Sequence, residues 1–380
     1  MGSQMAFFGV TLETIGTVRN HPNADRLDLA TVNGMSFQFV VGRDQWKVGD
    51  SVLYFPVDSL LPAPIIEKLG LTGKLSGPQK NRVKTIKLRG ELSQGLVAGP
   101  IAFLGCDYYR HERTRLVIEN GREYFINPPA WTPETITEFL GVTKYEPMPE
   151  HSKAGFLLPM PDGVSVYDIE GADRYPGVVG ILMDRPVCIT EKLEGTNLWV
   201  RRLPGGEIQV GQRNHLIKED PDTDKKNMYW QAVRDMEIPE FLEAQAHLTT
   251  LEGNVTLTLR GELLGPAIQR YYKGLTKNTI RFFDLQVDGR YVDAELFMQI
   301  VPENWRVPVI SVGPTLREWL TWRTIQEASD GKSAFAPGQL REGIVIRPLV
   351  EQDIIEEIPG FRGRLQIKQR SPEYLAGGET

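Results

Sequence analysis

The octet Thr190-Glu191-Lys192-Leu193-Glu194-Gly195-Thr196-Asn197 has the clearest chemical potential in the chain. Ile189, Leu193, Val187 and Val200 give it an apolar frame, and Gly195 breaks it, so it reads as a strand ending in a tight turn. Lys192 and Glu194 are two apart, so on an extended strand they point to the same side. A lysine beside a carboxylate is most often a plain salt bridge. It becomes a nucleophile when desolvation or a nearby cation lets it lose a proton. More polar residues follow on segments that read as strands. Arg213-Asn214 comes after Val210-Gly211-Gln212, and Glu262 lies near the end of the alternating run 255–263. The aromatic pair Phe282-Phe283 precedes Asp284, Glu342-Gly343 opens Ile344-Val345-Ile346, and Lys368 and Arg370 are two apart.

Lys192-Leu193-Glu194-Gly195 resembles the Lys-x-(Asp/Glu)-Gly core of the covalent nucleotidyltransferases, the superfamily of polynucleotide ligases and mRNA capping enzymes. The segments around Arg213-Asn214, Glu262, Phe282-Phe283, Glu342-Gly343 and Lys368 resemble that family's later signatures, in the same order. Any one of them is near background; the ordered series overrides the salt-bridge reading of Lys192. The resemblance implies attack by Lys192 on the α-phosphate of ATP, leaving a covalent lysyl-N–AMP. Glu191, Leu193, Arg213 and Asn214 join the nucleotide-binding set. Glu262 is expected on a ribose hydroxyl, which suits a carboxylate with two acceptor oxygens. Phe282 and Phe283 point opposite ways on a strand, so one of them is expected to stack on the purine. Glu194 and Glu342 are expected to organise Mg2+ or Mn2+ and not to touch Lys192 directly. Lys368, with Arg370, would meet the developing phosphoryl charge. The family usually has lysine at both of these last positions, and Arg370 keeps the charge without the compact ammonium.

These residues need a scaffold. The 380 residues suffice for two domains, and 41% hydrophobic with 24% charged residues is ordinary for a globular protein. No run of about 18 apolar residues suggests a membrane span. Cys106 and Cys188 are too few for a disulfide framework or a cysteine zinc site, which points to a reducing, cytoplasmic-type compartment. The net charge of −6 means that any nucleic-acid surface is a local patch. The stretch from Lys74 to Arg89 is such a patch: Lys74, Lys80, Arg82, Lys84, Lys87 and Arg89 occur in it without an Asp or Glu. On a strand, Arg82 and Lys84 would share one face, opposite Val83 and Thr85.

Short β runs at Phe37–Val41, 51–55 and 95–98, with glycine turns between them, suggest a small barrel over residues 6–105. His21-Pro22-Asn23-Ala24-Asp25-Arg26-Leu27 and Leu88-Arg89-Gly90-Glu91-Leu92-Ser93-Gln94-Gly95-Leu96 resemble the tRNA-binding OB domains appended to some aminoacyl-tRNA synthetases, which implies an OB fold with affinity for RNA. Thr132-Pro133-Glu134 starts a helix over 131–140 that Gly141 ends. Residues 106–150 read as a connector, and prolines crowd the approach to Lys192. Residues 222–251 read as helices interrupted at Pro239.

The fold expected is mixed α/β: an N-terminal OB-type β-barrel over 6–105, the connector, and a nucleotidyltransferase (adenylation) domain of antiparallel sheets and helices over 151–380. With the OB-like module ahead of the lysine motif, the chain looks like the RNA ligases that have an N-terminal OB domain. That implies sealing of 3′-OH/5′-phosphate nicks in RNA, with ATP, Mg2+ or Mn2+, and nicked duplex RNA as partner; a monomer is compatible with it. The competing readings are a DNA nick-sealing ligase and a catalytically inactive RNA-binding protein.

Overall fold

Period-two runs separated by glycine turns put antiparallel sheet in both halves of the chain. The computed structural model describes residues 8–100, 115–119, 122–126, 131–145, 156–219, 227–249, 253–266, 268, 274–352, 358, 361 and 363–377. They divide into two compact units, one within residues 7–147 and one within 148–380. Among the described residues no helix is long and apolar enough to cross a membrane.

In the first unit the sheet order is Phe39–Gly42, Leu27–Val32, Thr11–Asn20, Ser51–Phe55, Leu96–Ala98. The sheet nearly closes on itself. Val40 N–H donates to Ser93 Oγ at 3.0 Å, and Gln94 N–H donates to the Gln38 carbonyl at 3.0 Å. These bonds fasten the outer edge to the segment that continues into the last strand, giving the OB-type barrel. Ile15, Val32, Phe39 and Tyr54 fill one interior cluster, and Leu53, Phe55, Val83 and Ile136 another.

The two signature pieces of this unit meet. The His21 ring lies 3.1 Å from the Leu88 carbonyl, and Asn23 Nδ2 donates to the Arg89 carbonyl at 2.9 Å. Both contacts hold the hairpin of Ile86–Leu88 and Glu91–Ser93 in place. The basic stretch differs from expectation. Its strand begins only at Ile86, so Arg82 and Lys84 have no strand face to share. Val83 is buried, and Arg82 pairs with Asp58 at 2.5 Å while lying 3.6 Å over the Tyr145 ring. Lys74 Nζ donates to the Gly70 carbonyl at 2.9 Å. Lys87 and Arg89 are exposed on the hairpin. The expected helix occupies Pro133–Phe139, with Thr132 accepting from the Thr135 amide.

The second unit holds two antiparallel sheets. One is seven-stranded, in the order Leu157–Leu158, His215–Ile217, Ile208–Gln212, Thr196–Arg202, Leu257–Leu264, Thr279–Val287, Arg290–Tyr291. The other is four-stranded: Val309–Thr315, Pro186–Lys192, Gly343–Pro348, Ile367–Arg370. Helices Met228–Asp235 and Ile238–Thr249 cover the first through Trp230, Val233 and Leu242. The break between them falls at Met236–Glu237, where Glu237 has φ 53°, so Pro239 lies in the first turn of the second helix instead of causing the interruption. Helices Pro176–Leu182, Leu316–Leu320 and Ile325–Ser329 pack on the smaller sheet around Val178, Leu182, Ile189, Ile344 and Ile367. Each fully buried aliphatic side chain of this kind contributes about 1.5–3 kcal/mol. The chain passes from the smaller sheet to the larger one between Lys192 and Thr196, inside the lysine motif.

Candidate active site

Strand register assembles the site. Lys192 is the last residue of its strand and pairs with Gly343, which pairs in turn with Arg370. Glu342, one residue before Gly343, therefore comes against both cations. Its Oε2 lies 2.6 Å from Lys192 Nζ, and its Oε1 lies 3.5 Å from Arg370 Nε. The direct Lys192–Glu342 ion pair corrects the expectation that Glu342 stays off the lysine. A Cβ on Gly343 would lie 2.1 Å from the Gln369 carbonyl oxygen, so only glycine lets these strands approach.

Glu194 lies past the strand end, so it does not share a strand face with Lys192; its carboxylate accepts a hydrogen bond from Tyr374 Oη. Gly195 carries the crossing between sheets. A Cβ there would come within 2.5 Å of the Leu263 carbonyl oxygen and 2.8 Å of Glu262 Cγ. That close approach delivers Glu262, whose register partner is Asn197. Burial pushes the Glu262 carboxyl up to about 8, against the pull of Lys192 and with the push of Glu342. Burial also raises Glu194 above the usual carboxylate range.

A cavity of about 210 Å³ opens beside Lys192. Of the expected residues, Glu191, Lys192, Leu193, Arg213, Glu262, Phe283 and Lys368 line it. Asn214, Glu194, Glu342 and Arg370 stand outside its lining. The choice between the phenylalanines is resolved: Phe282 is 0% exposed in the core of the larger sheet, whereas Phe283 faces the cavity with its ring 4.8 Å from Tyr167. Glu191 is 2% exposed, and its carboxylate accepts from the Ala334 amide at 2.7 Å and the Phe335 amide at 3.4 Å. Its carboxylate thus fixes the 333–336 loop while the residue stays in the cavity lining.

The sequence reading missed several lining residues. Asp168 accepts from Arg213 Nη2 at 2.5 Å and lies 3.7 Å from Lys368 Nζ, so it draws two cations of the expected nucleotide site together. Tyr167, Arg347, Gln366 and Asp284 also line the cavity. Asp284 is fully buried, bonded to Arg347, to Arg364 at 2.7 Å and to Tyr167 Oη at 2.6 Å. Burial acts to raise its carboxyl, but the two arginines outweigh that and hold it below the usual range. Tyr167 and Asp168 fall in the proline-rich approach, where no periodicity marks them. The sequence signals were the lone Asp after Phe283 and the parity of Gln366 with Lys368.

The cavity suits a nucleotide: an aromatic wall, the Glu262 carboxyl, and the cations Lys192, Arg213 and Lys368. Arg213 Nε and Asn197 Oδ1 are buried without hydrogen-bond partners among the described residues, as groups awaiting a polar ligand are. The Glu194 and Glu342 carboxyls lie within electrostatic reach of Glu262 near Lys192, and carboxylate oxygens are the ligands that Mg2+ or Mn2+ takes. Among the described residues no group of three His, Cys, Asp or Glu is arranged to hold an ion alone.

The two antiparallel sheets meet at the strand-terminal Lys192. Residues 185–362 match the RNA ligase family, and residues 9–100 match an OB-fold domain family. Residues 185–362 thus carry an RNA ligase family domain, and the OB-fold family domain stands in front of it. No curated protein is significantly similar to it in sequence. Among solved structures it is similar to a Naegleria gruberi RNA ligase. A mutant of that protein with AMP and Mn gives a TM-score of 0.71 at 22% identity, covering 96% of this chain and 97% of the other. A mutant with ATP and Mn gives 0.71 at 23%, covering 96% and 98%. The same ligase with PPi gives 0.69 at 22%, covering 96% and 97%. At this identity these likenesses speak for the fold.

Proposed function

We propose that this protein is an ATP-dependent ligase that seals 3′-OH/5′-phosphate nicks in RNA through a lysyl-AMP intermediate. The carrying observation is that Lys192 lines one cavity together with Phe283, Glu262, Arg213 and Lys368. The base lies against Phe283, and the Glu262 carboxyl hydrogen-bonds a ribose hydroxyl. Arg213 and Lys368, kept together by Asp168, bind the phosphates as charge develops on them. Lys192 Nζ, once deprotonated, attacks the α-phosphorus; a P–N bond forms, the bond to the β-phosphate oxygen breaks, and pyrophosphate leaves. An oxygen of the RNA 5′-phosphate then attacks the same phosphorus and releases the lysine. The 3′-hydroxyl of the neighbouring strand finally attacks the 5′-phosphorus, and AMP departs. Glu194 and Glu342 would hold Mg2+ or Mn2+, which supplies positive charge that favours the neutral amine and stabilises the phosphoryl oxygens.

The OB-fold unit contributes RNA contacts through its exposed hairpin, where Lys87 and Arg89 lie. Sealing of a nicked duplex with a 5′-phosphate tests the reading. The expected result is joining with ATP and Mg2+ or Mn2+ when the 3′-OH strand ends in ribose, weaker joining when it ends in deoxyribose, and none with Lys192→Ala. Equal joining of both ends would move the assignment to a DNA nick sealer, since the 2′-hydroxyl is what separates the substrates.

A further inference from the structure

We infer that Gln366 reads the exocyclic amino group of the purine, and that Tyr167 and Asp284 determine which end of its amide faces the cavity. The inference rests on the proposal that the cavity takes ATP. Gln366, one residue ahead of the strand Ile367–Arg370, lines the cavity together with Lys368. Phe283, the aromatic wall, packs on Tyr167 beside it.

Tyr167 Oη lies 2.6 Å from Asp284 Oδ2 and 3.2 Å from Gln366 Oε1. A phenol has one proton. Asp284 is ionised by its arginine partners and sits closer, so it takes that proton; burial and the Asp284 charge keep the phenol protonated. Two oxygens with no hydrogen between them repel. The two ends of an amide have nearly the same shape, and the hydrogen-bond network decides which is which. Turned by 180°, Gln366 donates Nε2–H to the phenol oxygen, and the contact becomes favourable. The carbonyl is then the end that Tyr167 does not hold. It can only accept, so it pairs with the 6-amino group of adenine and opposes the 6-oxo group of hypoxanthine or guanine. A relay from Asp284 through Tyr167 thereby selects an amino purine.

The test is calorimetric binding of ATP and ITP to the full chain bearing Lys192→Ala, which binds without reacting. ATP should bind about tenfold or more tightly than ITP, the worth of one hydrogen bond. Gln366→Met, and independently Tyr167→Phe, should each bring the two affinities within about threefold of one another. Equal affinities in the Lys192→Ala parent, or an unchanged ATP-to-ITP ratio in a folded Gln366→Met or Tyr167→Phe protein, would overturn the assignment while leaving the ATP reading intact. Binding of neither nucleotide would overturn both.

Discussion

Lys192 Nζ and Glu342 Oε2 stand 2.6 Å apart, although 150 residues separate them in sequence, because Lys192 and Gly343 are register partners on adjacent antiparallel strands. The reactive end of the site is therefore built by β pairing. Its integrity depends on how closely those strands approach.

Gly343→Ala tests that dependence. The added methyl would meet the Gln369 carbonyl and the Arg370 Cα at 2.1 and 2.8 Å. Strand separation should cost about 1–3 kcal/mol and move Glu342 off Lys192. Chemical denaturation should report the loss of stability, and ATP-dependent labelling should fall at least about tenfold, since small misplacements near the reacting atoms cost up to about 10²-fold.

Phe282 and Phe283 are neighbours with opposite duties. Phe282→Ala removes a fully buried ring and should cost about 3–5 kcal/mol of stability. Phe283→Ala should leave the denaturation midpoint close to the parent and raise the ATP concentration needed for half-maximal labelling. Denaturation curves and ATP titrations of both variants check this; the opposite pattern would mean that the rings are exchanged.

Much of this was legible in the sequence and some was not. Lys192, Glu262, Phe283 and Lys368 each sit on a short recognisable strand signature, and the structure gathers them around one cavity. Tyr167 and Asp168 come from an irregular segment, and what brings them in is partners such as Asp284 and Arg213, far along the chain. The anchoring of the 333–336 loop by Glu191 was not legible, because the amides it accepts from are 143 and 144 residues further along the chain. Arg82 looked like a free cation because its partner Asp58 is distant in sequence. Composition marks a basic stretch but not which members are already paired.

Glu191→Ala should accordingly act on structure. It leaves the Ala334 and Phe335 amides without their acceptor, at a cost of about 1–3 kcal/mol. Thermal denaturation and proteolysis near residue 334 should both show the loosening. Unchanged stability would contradict the anchoring role.

Glu262 imposes a pH dependence. Its carboxyl is raised from 4.5 to about 8 by burial. Below pH 4.5 the folded and unfolded chains both hold the proton. Between 4.5 and about 8 the folded chain keeps a proton that the unfolded chain releases, so this group's contribution to stability falls as pH rises, then levels off. Thermal midpoints of the nucleotide-free protein across that window should fall more steeply in the parent than in Glu262→Gln. Parallel profiles would contradict the raised carboxyl.

The most direct measurement is intact mass after incubation with ATP and Mg2+ or Mn2+, on protein first cleared of bound AMP with pyrophosphate. A gain of one AMP in the parent and none in Lys192→Ala is the predicted result. No gain with either metal, or a gain that survives Lys192→Ala, would contradict the account of Lys192 as the nucleophile.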